Sequence, residues 1–142
     1  MTLSSSHDYA NLHILIIDDD DFQTEYIHDL LQEIGIGKLS TAESGSAGLL
    51  LLQKERSLPD LILCDIQMPG IDGFELMKLF GDNDYMGGIV LMSGQGAKVL
   101  YSASLVAQLA RLNFLGTLEK PLQKESIIAL LEKLPTKNQN QC

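Results

Sequence analysis

Aspartates occupy positions 18 to 21, directly behind the apolar run Ile14-Leu15-Ile16-Ile17, and Asp65 stands directly behind Leu61-Ile62-Leu63-Cys64. Ser93 follows the run Gly88 to Met92 in the same way, and Lys120 lies just past Phe114 to Leu118. Asp65 is 47 residues after Asp18, Ser93 is 28 after Asp65, and Lys120 is 27 after Ser93. Each falls where an apolar run stops. Carboxylates, a hydroxyl and an ammonium of this kind make a phosphoryl site. Acids hold a metal, one acid acts as nucleophile, the lysine neutralises phosphate oxygens and the hydroxyl donates to them. Three carboxylates gathered at about 5 Å repel by roughly 3 kcal/mol per pair at an effective dielectric near 20. A hard divalent cation relieves that repulsion. Mg²⁺ suits it, because it takes oxygen ligands and works with one or two carboxylates plus a phosphate.

The elements that must position these residues are legible as an alternation. Short continuous apolar runs read as strands covered on both faces, the mark of a parallel sheet, and amphipathic stretches between them read as helices. Strands are predicted at His13–Ile17, Lys38–Ala42, Leu61–Cys64, Gly88–Met92 and Phe114–Leu118. Helices are predicted at Phe22–Ile34, from Ser44 or Ser46 to Gln53, at Phe74–Phe80, Ala97–Leu112 and Lys124–Leu134. Asp20 or Asp21 is expected to cap the first helix, Gly35 and Gly37 to close it, and Pro135 to stop the last. In open α/β sheets ligands bind outside the carboxyl ends of the strands, where all these polar residues fall.

With 142 residues and 45% hydrophobic content, the chain is sized for one domain with a proper core. The expected division is a polar N-terminal tail over 1–12, one domain over 13–134, and a tail or start of a linker over 135–142. A formal charge of −9 argues against direct contact with nucleic acid or an anionic membrane. No apolar run approaches the length of a membrane span, and Met1 to Asn11 lacks a signal-peptide core. Cys64 reads as a small buried filler and Cys142 is terminal, so no disulfide framework is expected and a reduced, cytoplasmic location fits. His7, His13 and His28 lack metal-ligand spacing and read as surface or strand-edge residues. The Asp18 and Asp65 segments also fail as calcium loops: the sixth and twelfth positions are Gln23 and Asp29 in one, Gly70 and Leu76 in the other.

Four segments carry a family resemblance: Ile16-Ile17-Asp18-Asp19, the stretch from Asp65-Ile66-Gln67-Met68-Pro69-Gly70 to Asp72-Gly73, Met92-Ser93-Gly94, and Glu119-Lys120-Pro121. In this order and at these separations the chain resembles the response-regulator receiver domains of two-component signalling over His13 to Leu134. The resemblance implies a (βα)5 doubly wound, five-stranded parallel sheet of order 2-1-3-4-5, flavodoxin-like. It makes Asp65 the phosphoacceptor. Asp19, Asp65 and the backbone carbonyl of Gln67 would ligate Mg²⁺, with Asp18 acting through bound water. Ser93 would hydrogen-bond the phosphoryl group, Gly94 would leave the approach to Asp65 open, and Lys120 would pair with phosphoryl oxygens. The Lys120–Pro121 bond is expected to be cis, and Gln67 and Gln95 are expected to line the route of an attacking water.

The implied donor is phosphohistidine on a sensor histidine kinase or a histidine phosphotransfer protein. The implied output is a changed surface around the fourth predicted helix, fifth strand and fifth helix, read by an effector domain, an effector protein or a second copy of the chain. Such a module is not an enzyme, since it catalyses only its own phosphorylation and dephosphorylation. Further likeness in Leu91-Met92-Ser93-Gly94-Gln95, Leu109-Ala110 and Leu115-Gly116 is similar to receivers attached to EAL-type cyclic-di-GMP phosphodiesterases, although no such domain lies in this chain. One departure stands out. Three residues before the lysine, where many members carry an aromatic switch residue, this sequence has Thr117. Two alternatives accompany this reading: a small phosphatase of the haloacid-dehalogenase type using Asp18 of an Asp18-x-Asp20 pair, and a docking module that works without phosphorylation.

Overall fold

The computed structural model describes residues 9–54, 58–66, 73–94, 106 and 109–135. Its elements follow the predicted alternation. Strands β1 (His13–Ile17), β2 (Lys38–Ala42), β3 (Leu61–Asp65), β4 (Gly88–Ser93) and β5 (Asn113–Glu119) form one parallel sheet of order β2-β1-β3-β4-β5. Helices α1 (Asp21–Ile34), α2 (Gly45–Lys54) and α3 (Gly73–Asp82) follow the first three strands, and α4 (Lys124–Leu131) follows the fifth. The predicted helix over Ala97–Leu112 lies mostly outside the described residues. Val106 and Leu109 to Arg111 are helical, with Leu109 buried and Val106 half exposed.

Side chains alternate across a strand, and here that alternation sorts the core into two layers. Ile14, Ile16, Leu61, Leu63, Val90, Met92 and Leu118 meet Ile27 and Leu31 of α1 and Ile127 and Leu131 of α4. Leu15, Ile17, Ile62, Cys64, Ile89 and Leu91 meet Leu52 of α2 and Leu76, Met77 and Phe80 of α3. All residues of β1, β3 and β4 are buried, so these strands read as continuous apolar runs rather than as an alternation. Gly88 opens β4 where a side chain has no room: a Cβ there would lie 2.9 Å from Leu115, 3.0 Å from Leu134 and 3.2 Å from Leu61.

Local signals settle several boundaries. Asp20, rather than Asp21, caps α1, its carboxylate accepting from the N–H groups of Phe22 and Gln23. Gly35 closes that helix at φ 106, a conformation open to glycine. Ser44 accepts from the Ala47 N–H ahead of α2. Helix α3 runs through Gly81 to Asp82, past the expected end at Phe80: Asn83 still donates its N–H back to the Leu79 carbonyl, and the Lys78 ammonium pairs with Asp82 one turn on at 3.0 Å. At the other terminus α4 stops at Leu131, three residues early. Glu132 to Leu134 continue as turns whose N–H groups bond back to Ile128, Leu130 and Leu131, and Leu134 still reaches the core.

The structured chain also extends into residues expected as tail. Tyr9–Asn11 make a 3-10 turn, Tyr9 packs on the core with its hydroxyl on Glu132, and Leu12 is buried. His13 corrects the surface or strand-edge expectation. It is buried at the start of a central strand, its Nε2 2.8 Å from the Ser40 hydroxyl of β2. His7 lies outside the described residues. No helix among the described residues is long and apolar enough to cross a membrane.

Candidate functional site

The register of the sheet assembles the site. Pairing of Ile17 with Cys64 sets Asp18, one step beyond β1, beside Asp65, the last residue of β3. Pairing of Asp65 with Met92 and of Ser93 with Glu119 brings the ends of β4 and β5 to the same rim. Alternation then chooses the side. Asp18 continues the series Ile14-Ile16, Asp65 continues Leu61-Leu63, and Lys120 continues from Leu118, all of the layer facing α1 and α4. Ser93 continues Ile89-Leu91 of the other layer.

Lys120 joins the two buried acids. Its ammonium donates to Asp18 Oδ2 and to Asp65 Oδ2, each at 2.9 Å, with 13% of its side chain exposed. The second Asp18 oxygen accepts from the Asp20 N–H at 2.9 Å. Burial pushes the Asp18 carboxyl above its ordinary value, and the Asp20 N–H and the lysine only partly oppose it. Burial alone would lower the Lys120 ammonium, but its bonds to Asp18 and Asp65 outweigh burial and lift it above the usual lysine value. The Lys120 backbone is anchored too: its N–H donates to the Ser93 carbonyl at 2.7 Å, and the Lys120–Pro121 bond is cis, as expected. Cys64, next to Asp65, is a buried filler, its thiol pushed up to about 12 by burial and the adjacent acids.

Asp19 is exposed at the mouth of the cluster. One carboxylate oxygen from each of Asp18, Asp19 and Asp65 lies within 4.8 Å of the others. Three carboxylates against one ammonium leave two uncompensated negative charges, the count that one divalent cation answers. All donors are hard oxygens without nitrogen or sulfur, so the residues present fit Mg²⁺ better than a softer metal. Ser93 is buried at the end of β4 and Gly94 follows it, half-buried. Gln67, Asp72 and Gln95 lie outside the described residues. Thr117 is exposed on β5, opposite Leu91.

Sequence reasoning missed one neighbour of this cluster. Tyr26 of α1 donates its hydroxyl to the Leu122 carbonyl at 2.8 Å, two residues past Lys120. No spacing signal betrays a contact across 96 residues.

A doubly wound parallel sheet with acids on two adjacent strand ends and a lysine from a third defines a receiver-type module. A family model described as the response regulator receiver domain matches residues 14–132, and the chain belongs to that family of phosphorylation-controlled signalling modules. The chemotaxis protein CheY of Bacillus subtilis is 31% identical over 120 residues, covering 84% of this chain and 94% of that protein. The cyclic di-GMP phosphodiesterase RocR of Pseudomonas aeruginosa is 26% identical over 130 residues, covering 92% of this chain. That similarity is of the kind the EAL-associated motifs anticipated. The chain spans only 33% of RocR, so the phosphodiesterase name describes that longer protein. Among solved structures, the Vibrio cholerae chemotaxis protein CheY4 superposes with a TM-score of 0.68 at 25% identity, covering 87% of this chain and 98% of that one. Neither the dehalogenase-type phosphatase nor the phosphorylation-independent docking module is favoured beside this match.

Proposed function

We propose that Asp65 accepts a phosphoryl group from phosphohistidine on a partner kinase or phosphotransfer protein. The observation that carries this reading is the shared ammonium: Lys120 reaches Asp18 and Asp65 at once, on a rim where Asp19 adds a third carboxylate. In the transfer, a carboxylate oxygen of Asp65 bonds to phosphorus as the bond from phosphorus to the donor imidazole nitrogen breaks. The electron pair of that bond leaves with the imidazole.

Asp19 and Asp65, with the Gln67 carbonyl and with Asp18 through water, would hold Mg²⁺. When bound, the ion neutralises charge on the phosphoryl oxygens. Lys120, already paired with Asp65, is within reach of those oxygens and supplies the remaining positive charge. Ser93 donates to the phosphoryl group from the neighbouring strand end, and Gly94 keeps the approach to Asp65 free of a side chain. By the family resemblance, Gln67 and Gln95 would line the approach of the water that later hydrolyses the acyl phosphate. The chain's own chemistry is thus limited to gaining and losing this group. Its output is a changed surface around residues 97–131, read by an effector domain or protein or by a second copy. The free, buried thiol of Cys64 supports the reducing cytoplasm as its compartment.

The test is Mg²⁺-dependent labelling by acetyl phosphate, comparing the protein with Asp65→Asn. Labelling of the native chain and none of the variant is expected. Equal labelling of both rejects Asp65 as acceptor.

A further inference from the structure

Helix α1 begins directly behind the acids of β1, and α4 begins directly behind the segment that carries Lys120. The two helices pack on the same face of the sheet. Two of the polar contacts among the described residues link α1 to α4 and to the segment just ahead of it. Lys124 and Glu33 pair at 3.3 Å, but both are well exposed and such pairs hold little. The other is the bond from the Tyr26 hydroxyl to the Leu122 carbonyl at 2.8 Å, partly shielded from water.

That carbonyl belongs to the short stretch between β5 and α4, whose geometry sets where Lys120 sits. The stretch is fixed at one end by the Lys120 N–H on Ser93 and at the other by the first turn of α4. Gln123, the residue ahead of α4, contributes no side-chain cap. In the middle, the buried Leu122 side chain and the Tyr26 hydroxyl hold it, besides a long local bond from the Gln123 side-chain amide to the Pro121 carbonyl at 3.4 Å. Tyr26 is 42% exposed, so packing explains only part of why a tyrosine stands there.

We propose that Tyr26 is a positioning residue for Lys120: its hydroxyl, by holding the Leu122 carbonyl, fixes the segment that presents the ammonium to Asp65 and to the incoming phosphoryl group. This rests on the reading of Lys120 as the phosphoryl-binding cation. A group that must meet charge developing on transferring oxygens loses its effect when displaced by as little as 1 Å. The bond also ties the two halves of the site together, since α1 is continuous with the acids and Leu122 with the lysine.

The experiment compares the full chain with Tyr26→Phe, which keeps the ring and removes the donor. With acetyl phosphate and saturating Mg²⁺, labelling of the variant is expected to slow about fivefold, the worth of one net hydrogen bond, while Mg²⁺ affinity stays unchanged. In a Lys120→Met background the same substitution is expected to cost nothing further, because the residue through which it acts is gone. Lysine-selective ¹⁵N NMR gives a readout independent of phosphorylation: the Lys120 ammonium resonance is expected to shift and exchange faster in Tyr26→Phe. Labelling at the native rate overturns the proposal, even if the melting temperature falls. So does a fivefold loss that persists without Lys120, or an unmoved Lys120 resonance. If the native chain takes no label at all, the Asp65 reading fails, and the resonance still decides the role of Tyr26.

Discussion

Replacing Lys120 with methionine keeps the length of the stem and removes the charge, leaving Asp18 and Asp65 facing each other in a buried site. At 2.9 Å and an effective dielectric near 20, each ion pair carries about 6 kcal/mol of attraction before the cost of drying the charges. Removal of one partner from a buried pair costs about 3–5 kcal/mol net. We therefore expect Lys120→Met to lose about 4 kcal/mol in urea unfolding at pH 7 without divalent metal, a large part of a typical domain's stability. The loss has a signature in pH. Burial already raises the Asp18 carboxyl, and without the lysine nothing but the Asp20 N–H opposes that rise. A carboxyl whose folded value lies above its unfolded one gains stability as pH falls toward the unfolded value. The variant should thus recover stability between pH 7 and 5 more steeply than the native chain. A loss below 1 kcal/mol, or one of equal size at both pH values, refutes the argument that Lys120 compensates the two acids.

Asp19→Asn should weaken Mg²⁺ binding at least tenfold by calorimetry while leaving metal-free stability within about 0.5 kcal/mol, since this carboxylate is exposed. Gly88→Ala should cost about 1–3 kcal/mol in urea unfolding, because the new methyl meets three packed leucines at 2.9–3.2 Å. Alkaline pH should unfold the protein progressively. The Cys64 thiol titrates at about 12 in the fold against 9.0 outside it, and burial raises the Tyr85 phenol as well. Both groups keep their protons in the fold after the unfolded chain has released them, so stability is full below about pH 9 and falls by about 1.4 kcal/mol per pH unit per group above the unfolded values. Unfolding midpoints of Cys64→Ala and Tyr85→Phe should decline less steeply between pH 9 and 11.

The sheet was legible because buried parallel strands leave uninterrupted apolar runs, and β1, β3 and β4 are such runs. Asp18, Asp65 and Lys120 were legible for a related reason: each ends or closely follows a strand, and strand ends are where an open α/β sheet exposes chemistry. Between Asp20 and Asp21 the sequence offered no choice, since either aspartate caps equally well until the chain direction at the end of β1 is known. His13 misled because a polar residue opening an apolar run looks like an edge. Its burial depends on β2 supplying Ser40 across the sheet. Tyr26 was hidden for the same kind of reason, as its partner is a backbone carbonyl set by the docking of α1 beside α4. Contacts of this sort are made by tertiary packing and leave no period in the chain.

The outer strand β2 has a consequence for how these molecules behave in company. Its residues Lys38, Leu39, Ser40 and Thr41 are exposed or half-exposed, and only Ala42 is buried. A sheet margin offers a row of amide and carbonyl groups to any passing strand, and a margin that is short, carries a lysine and has two hydroxyl side chains is a poor template for one. The polar make-up of β2 is therefore also a guard against lateral growth of the sheet from molecule to molecule in a crowded solution.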